Sequence, residues 1–448
     1  MTGKTLKETS LTNLKSATFI DLFSGCGGLS LGLAMAGLEG RFAIERDFMA
    51  FETFRANFLN DRRLPVKPFA WPYWLKKKNW SVDDLLNEHL RELHALEGEV
   101  EVLAGGPPCQ GFSFAGKRNE ADPRNQLFQK YVDVVNAVQP KALILENVPG
   151  MKVAHASKGL DQPSCSDARE SYYEKLKAQL EDIGYDVKGK LVDASRFGVP
   201  QKRVRLIVVG LRREVSKRLV GGVERVFDIL EDSRLGVLKD LGLSEIVSAR
   251  DAIHDLRALI KPKQNCRDPE SPPGFVEAIY EGPSKESPYQ RLMHWGCRDD
   301  EMDSMRLAKH RDAVRDRFQL ILSECPKGVR MDEKFREKYG LKKHRIYPMA
   351  PHVPAPTLTT LPDDVLHYEE PRILTVRESA RLQSFPDWFR FKGKYTTGGA
   401  LRTKECPRYT QVGNAVPPLL GRALGLAVVE AISESDAQFE GGDPEPCR

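Results

Sequence analysis

The chain predicts a parallel, doubly wound α/β sheet, Rossmann-like in style, with a smaller domain inserted near its end. Three observations carry this. Short apolar runs alternate with helical patterns through residues 18–210. Glycine- or proline-rich turns follow the apolar runs, as they do at the carboxyl edge of a parallel sheet. The alternation stops near Gly210 and resumes at Leu374.

Taken in order, Thr18 to Phe23 reads as a strand. A cluster of Gly25, Gly27 and Gly28 follows, then an apolar helix from Leu29 to Met35 that stops at Gly37. A second strand, Arg41 to Ile44, ends at Glu45, and Phe48 to Phe58 reads as a helix. Further strands are expected at Val100–Ala104, Ala142–Leu145 and Val204–Val209, with helices at Leu127–Val138 and Tyr172–Ile183. Residues 211–373 differ in texture, being rich in charge, proline and histidine, and read as the inserted domain. Thr375 is placed to cap a helix over Val376–Leu382. A glycine-punctuated helix, Pro417 to Ile432, closes the fold. The expected divisions are a tail at 1–16, a catalytic unit at 17–210 and 374–432, the insert at 211–373, and a polar tail from Ser433 to 448.

A chain of 448 residues with 41% hydrophobic content can build sizeable cores. The first sixteen residues are polar, without a secretory apolar stretch. No run reaches the apolar length of a membrane span. The expectation is a soluble, cytoplasmic protein. Eight cysteines form no C-x-x-C pair, which disfavours a zinc site and a disulfide scaffold, so no metal is expected. Net charge is +5, too mild to demonstrate nucleic-acid binding. Basic residues do concentrate at Lys202–Arg218 and at Lys327–Arg345, where eight Lys or Arg meet three acids.

Chemistry-bearing residues fall at the predicted strand ends. Gly105-Gly106-Pro107-Pro108-Cys109 presents a thiol after two prolines, which restrict the backbone there. Cys109 read alone is either a nucleophile or a small buried hydrophobe. The turn from Asp21 to Gly32 offers glycines and a helix N-terminus to a ligand. Glu45, with Arg46 beside it, is placed to bind ribose hydroxyls. The pattern calls for a nucleoside-containing cofactor without separating a dinucleotide from S-adenosylmethionine. Glu146-Asn147-Val148-Pro149 puts a carboxylate at the same edge. Gln201, Arg203 and Arg205 alternate along a strand and share a face, as site residues or as structural ion pairs.

In series, these motifs resemble the DNA cytosine-5 methyltransferases. The likeness covers 18–210 and 374–430. It rests on Pro107-Pro108-Cys109-Gln110, Asp122-x-Arg124-x-x-Leu127-Phe128, Glu146-Asn147-Val148, Gln201-x-Arg203-x-Arg205, Arg377-Glu378-x-Ala380-Arg381-Leu382-Gln383, and Gln411-Val412-Gly413-Asn414. The resemblance implies a Rossmann-like methyltransferase sheet, S-adenosylmethionine as cofactor and duplex DNA as substrate. It also implies a monomer on DNA and a target-recognition domain in the insert. A restriction or defence system is compatible with it.

The implied catalytic residues are Cys109, Glu146, Arg203 and Arg205. Cys109 attacks C6 of a flipped cytosine, Glu146 serves N3 as an acid of raised pKa, and Arg203 is the cation favouring the thiolate. Phe23, Gly25, Cys26, Gly27 and Gly28 are implied around the methionine part, Glu45 at the ribose, and Arg46 also in contact with the cofactor. Gly106, Pro108, Leu127 and Asn414 line the rest. Ser113, Lys117, Arg118 and Arg124, on a loop from Gly111, and Thr357 and Thr359 near the end of the insert, are implied DNA contacts.

One departure stands out. The family's Asp-plus-apolar pair that contacts adenine has no clear match; Trp71, Asp83 and Asp84 are the alternatives. A tRNA-modifying branch shares the fold but carries Pro-Phe-Thr after its nucleophile motif and a Cys-Phe-Thr signature. This chain has Gly111-Phe112-Ser113 and no Cys-Phe-Thr. A non-catalytic relative would have lost the thiol, the acid or the arginines, and all are retained. A nicotinamide dehydrogenase accounts for the glycine loop but not for the Cys–Glu–Arg series.

Overall fold

The computed structural model describes residues 17–60, 64–107, 126–152, 171–282, 286–297, 302–341, 343 and 345–440. Its centre is a six-stranded sheet. The strands are β1 (Thr18–Leu22), β2 (Glu39–Ile44), β3 (Val102–Gly105), β4 (Ala142–Asn147), β5 (Tyr185–Asp193) and β6 (Val204–Arg212), in the order β2-β1-β3-β4-β6-β5. The first four are mutually parallel, so Leu22, Ile44, Gly105 and Asn147 end on one edge.

β6 runs antiparallel to both β4 and β5, which corrects the all-parallel expectation. The short link from Asp193 to Val204 makes β6 antiparallel to β5, being too short for the crossover a parallel pair needs. β5 was not foreseen. Its alternating burial is visible in Tyr185, Val187 and Gly189, with Lys188 and Lys190 turned outward on an edge strand.

Helices cover both faces. On one lie α1 (Gly28–Met35) and α2 (Phe48–Phe58); on the other, α3 (Val82–His94), α4 (Gln126–Val138) and α5 (Tyr172–Asp182). Strand residues alternate between two cores: Phe19, Val102, Ile144 and Val209 join one, Ile20, Leu103, Leu145 and Val208 the other. α3 was also missed, although Ser81 caps it by accepting the Asp84 N–H.

The insert does not behave as one block. The expected boundary at 211 falls inside β6. α6 (Arg213–Lys217), α7 (Glu224–Asp232), α8 (Arg234–Asp240) and α9 (Ala249–Ile253) follow; Val215, Phe227, Leu230 and Ile253 bury themselves in the first core. The small hairpin β7 (Lys263–Asn265) and β8 (Val276–Ala278) and helix α10 (Pro288–His294) come next. A separate small core forms later from α11 (Asp312–Glu324), α12 (Glu333–Lys338), β9 (Tyr347–Pro348) and β10 (Val365–Leu366), around Phe318, Ile321, Tyr339 and Ile346.

α13 (Val376–Leu382), α14 (Arg408–Asn414) and α15 (Pro418–Glu440) return to the main core. Thr375 caps α13 with a reciprocal Thr375–Glu378 capping box, as expected. The polar tail expected from Ser433 is helical to Glu440, and Ser435 is buried with its hydroxyl donating to the Val215 carbonyl. Among the described residues one helical stretch, Arg408–Phe439, is long and apolar enough to cross a membrane, contrary to expectation. Its apolar side chains are mostly buried in the core. α1 and α15 touch backbone to backbone: a Cβ on Gly32 would lie 2.5 Å from the Pro418 carbonyl oxygen and 2.6 Å from the Gly421 Cα.

Buried arginines lock the insert to the returning helices. Arg381 is fully buried, donating to both oxygens of Asp255 at 3.0 Å, to Asp387 at 2.6 and 2.7 Å, and to the Ala252 carbonyl. Arg377 reaches Asp303 and the Phe389 carbonyl, and Arg408 reaches Asp268 and Glu270. Bidentate, fully satisfied pairs of this kind are tolerated in a core, whereas a lone arginine is not.

Candidate active site

The ends of β1 and β2 form the first half of the site. After Leu22 the backbone turns through Phe23 at φ 59°, a left-handed conformation unusual for a phenylalanine, and Gly25 at φ 56°. Glu45 holds this turn. Its Oε2 accepts the Gly25 N–H at 2.9 Å and its Oε1 the Asp47 N–H at 2.6 Å. Burial raises the Glu45 pKa, and those two N–H groups oppose the rise. Each carboxylate oxygen keeps further acceptor capacity for a ligand hydroxyl.

The other residues of the glycine turn divide. A Cβ on Gly25 would meet nothing within 4 Å. A Cβ on Gly27 would lie 2.5 Å from the Phe58 ring, and one on Gly28 2.3 Å from the Val416 carbonyl oxygen. Cys26 is 2% exposed, with its thiol against the Gln411 carbonyl and pushed up to about 12 by burial. The side-chain faces of Cys26, Gly27 and Gly28 thus point into the protein, and Gly25 faces open space. Arg46 is exposed.

The ends of β3 and β4 form the second half. Gly106 donates its N–H to the Leu22 carbonyl at 3.3 Å. Asn147 donates from Nδ2 to the Pro107 carbonyl at 3.2 Å, and its Oδ1 accepts the Val148 N–H at 2.8 Å. Asn147 therefore fixes the backbone two residues ahead of Cys109. Sequence reasoning quoted this asparagine without giving it a role; its place directly after the strand-end acid was the available signal. Glu146 stands beside it, 9% exposed, with Oε1 2.8 Å from Arg205 Nε. A Cβ on Gly106 would lie 3.8 Å from the other Glu146 oxygen, so the carboxylate faces Gly106.

Cys109, Pro108, Ser113, Lys117, Arg118 and Arg124 lie outside the described residues. Leu127, half-buried, is in the first turn of α4, and Asn414, exposed, ends α14.

The two arginines of Gln201-x-Arg203-x-Arg205 have different partners. Arg205 pairs with Glu146. Arg203 is 1% exposed and donates to the carbonyls of Leu358 at 3.2 Å, Gly413 at 2.9 Å and Ala415 at 3.0 Å. Gln201 works alongside it, accepting the Leu358 N–H at 2.9 Å and donating to the Leu382 carbonyl. Together they bind the 355–360 segment and the Gly413–Ala415 turn to the start of β6.

Thr357 and Thr359 belong to that seam. The Thr357 hydroxyl donates to the Lys202 carbonyl at 2.6 Å, and the Thr359 hydroxyl donates to Asp364. Much of the basic segment 327–345 is likewise engaged: Lys327 with the Tyr368 carbonyl, Lys343 with Asp363 and Asp364, and Arg345 with the Thr357 carbonyl.

A sheet of this topology, with a carboxylate-held turn on β1–β2 and an acid–arginine pair on β4–β6, has a Rossmann-like methyltransferase fold. The chain belongs to the C-5 cytosine-specific DNA methylase family, whose model matches residues 17–430. It is a DNA (cytosine-5)-methyltransferase. The type II methyltransferase M1.HphI of Haemophilus parahaemolyticus is 31% identical, over 93% of this chain and 87% of its own. The type II methyltransferase M.DdeI of Desulfomicrobium norvegicum is 30% identical, over 90% and 86%. In fold, the chain is similar to a DNA modification methyltransferase encoded within an E. coli prophage. That likeness has a TM-score of 0.62 and 24% identity, covering 93% of this chain and 100% of the other.

Proposed function

We propose that the enzyme methylates C5 of a cytosine flipped out of a short duplex DNA sequence, through a covalent bond between Cys109 and C6. The observation that carries this reading is the Asn147–Pro107 hydrogen bond beside Glu146. It supports a fixed backbone at Pro107, two residues ahead of Cys109 in sequence, with an acid beside that hydrogen bond.

In the proposed cycle the Cys109 thiolate adds to C6, forming the S–C6 bond, while Glu146 gives a proton to N3. Electron density then builds at C5, which takes the methyl group. Water removes the C5 proton. The S–C6 electrons leave with sulfur, N3 returns its proton to Glu146, and the ring is restored. Arg205 fixes the Glu146 carboxylate. Arg203 acts through the Gly413–Ala415 turn it holds.

S-adenosylmethionine supplies the methyl group when bound. The open space at Gly25 and the remaining acceptor capacity of Glu45 fit a nucleoside cofactor, with Phe23, Gly106, Leu127 and Asn414 around it. The named relatives are type II methyltransferases. By analogy we read this enzyme as the modification partner of a restriction system, acting on DNA in the cytoplasm.

The test is trapping on duplex DNA containing 5-fluorocytosine, where fluorine blocks loss from C5. Wild type should form an SDS-stable adduct and Cys109→Ala none. An undiminished adduct with Cys109→Ala would remove the thiol from the mechanism. Bisulfite sequencing of DNA from expressing cells identifies the target sequence.

A further inference from the structure

The β7–β8 hairpin of the insert is a two-stranded ribbon that joins no larger sheet. Burial alternates along its first strand and just beyond. Gln264, Cys266 and Asp268 are half-buried, whereas Lys263, Asn265 and Arg267 are exposed. At a period of two, those three side chains share the outer face. Val276 pairs directly with Asn265, so it lies on that face too, and it is 40% exposed.

The rest of the hairpin is fastened to the catalytic unit. Asp268 accepts the Tyr395 hydroxyl at 2.8 Å and a guanidinium N–H of Arg408. Glu270 accepts from Arg408 at 2.7 Å and from the Gly393 N–H at 2.8 Å. The buried Arg306 guanidinium lies between the rings of Phe275 at 4.1 Å and Tyr395 at 3.7 Å. Arg408 opens α14, and Arg203 grips the other end of that helix at Gly413. Each acid of the hairpin thus has a partner, because Glu277 accepts from Gln264 at 3.0 Å and from Arg267 Nε at 3.2 Å. The outer face is left with a lysine, an amide, a guanidinium and a valine. Lys309 adds charge at the loop, since a Cβ on Gly274 would lie 4.0 Å from its Nζ.

A two-stranded ribbon fits the major groove of duplex DNA. There an amide pairs with N6 and N7 of adenine, and a guanidinium with O6 and N7 of guanine. Glu277 holds Arg267 by Nε, which orients the fork and leaves its two Nη groups for a paired contact. Alternate strand residues lie about 6.6 Å apart and successive base pairs about 3.4 Å, so neighbours on this face meet every second base pair. We propose that this face reads the bases around the target cytosine, Asn265 taking an A·T pair and Arg267 a G·C pair other than the target. The assignment deepens the proposed function and rests on its reading of a short duplex sequence.

The test measures methyl transfer on the motif found by bisulfite sequencing and on duplexes that each change one base pair of it. Wild type should discriminate at every position of the motif. Asn265→Ala should lose roughly tenfold to hundredfold of that discrimination at one A·T pair, and Arg267→Ala at one G·C pair, with the other positions unchanged. Both side chains are at the surface, so the variants should melt as wild type does. Where a variant turns over too slowly to measure, competition gel shifts rank the same duplexes. Full discrimination retained by both variants overturns the proposal, as does an equal loss on every duplex, which would make the residues general contacts. Methylation by wild type without sequence preference fails at the other level: it removes the reading of a specific target, and this inference with it.

Discussion

Replacing Gly413 with alanine puts a methyl carbon where the backbone of the Thr359 segment already is. The added Cβ would sit 2.3 Å from the Thr359 carbonyl oxygen, 2.5 Å from its carbonyl carbon and 2.8 Å from the Thr360 nitrogen. All three are backbone atoms, so no rotamer change relieves the contact. Ordinary separations begin near about 3.5 Å, so the seam must open by about 1 Å. It cannot open freely, because Arg203 donates across it to Leu358 on one side and to Gly413 and Ala415 on the other. Overpacking a held contact costs about 1–3 kcal/mol. Under the proposed function the next residue, Asn414, lines the cofactor, and a displacement of about 1 Å in groups that place substrates costs on the order of 10²-fold in rate. The assay pairs a thermal or urea melt with methyl transfer to cognate DNA. Gly236→Ala is the control, since it lies in helix α8 with nothing within 4 Å of the added carbon. It should be neutral or stabilising by up to about 1 kcal/mol. If Gly413→Ala matches the control in both melt and rate, the seam is not a rigid positioning device and the argument for Arg203 fails with it.

Arg205→Ala should lower the rate of methyl transfer roughly 10²-fold with little change in cofactor affinity, because it frees the Glu146 carboxylate from its 2.8 Å partner; an unchanged rate would show the pair to be incidental. Arg381→Met strips the shared cation from Asp255 and Asp387, whose carboxyl Arg381 holds well below the usual range, and should cost about 3–5 kcal/mol in a melt. Asp21 predicts a pH effect. Burial raises it from 3.8 to about 7, against the lowering effect of the Ser30 hydroxyl. Between those values the folded state holds a proton the unfolded chain has released, so stability falls as pH rises through the window and levels off above about 7. The interval converts to roughly 4 kcal/mol. In Asp21→Asn this contribution should vanish, and a pH–stability slope between 4 and 7 identical to wild type would refute the assignment.

The strands that end at the site were legible in the sequence because their signals are local. An apolar run followed by glycine or proline marks β1, β3 and β4, and Thr375 announces its helix as a cap. What escaped depends on partners far along the chain. The direction of β6 is decided by a short link and by pairing with two neighbours, and neither is visible in Val204–Val209 as a segment. The division between Arg203 and Arg205 is of the same kind. Both sit in one motif two residues apart, yet one meets an acid on β4 and the other meets carbonyls more than 150 residues later in the chain. The glycine turn makes the point most sharply. As sequence, Gly25, Gly27, Gly28 and Gly32 look like a single ligand-binding device. In space, Gly25 faces open room, Gly27 makes way for Phe58, and Gly28 and Gly32 let α1 approach the Val416–Arg422 stretch. A motif can thus be specific for a family while only part of it touches the chemistry. The remainder records how closely the closing helix must pack against α1.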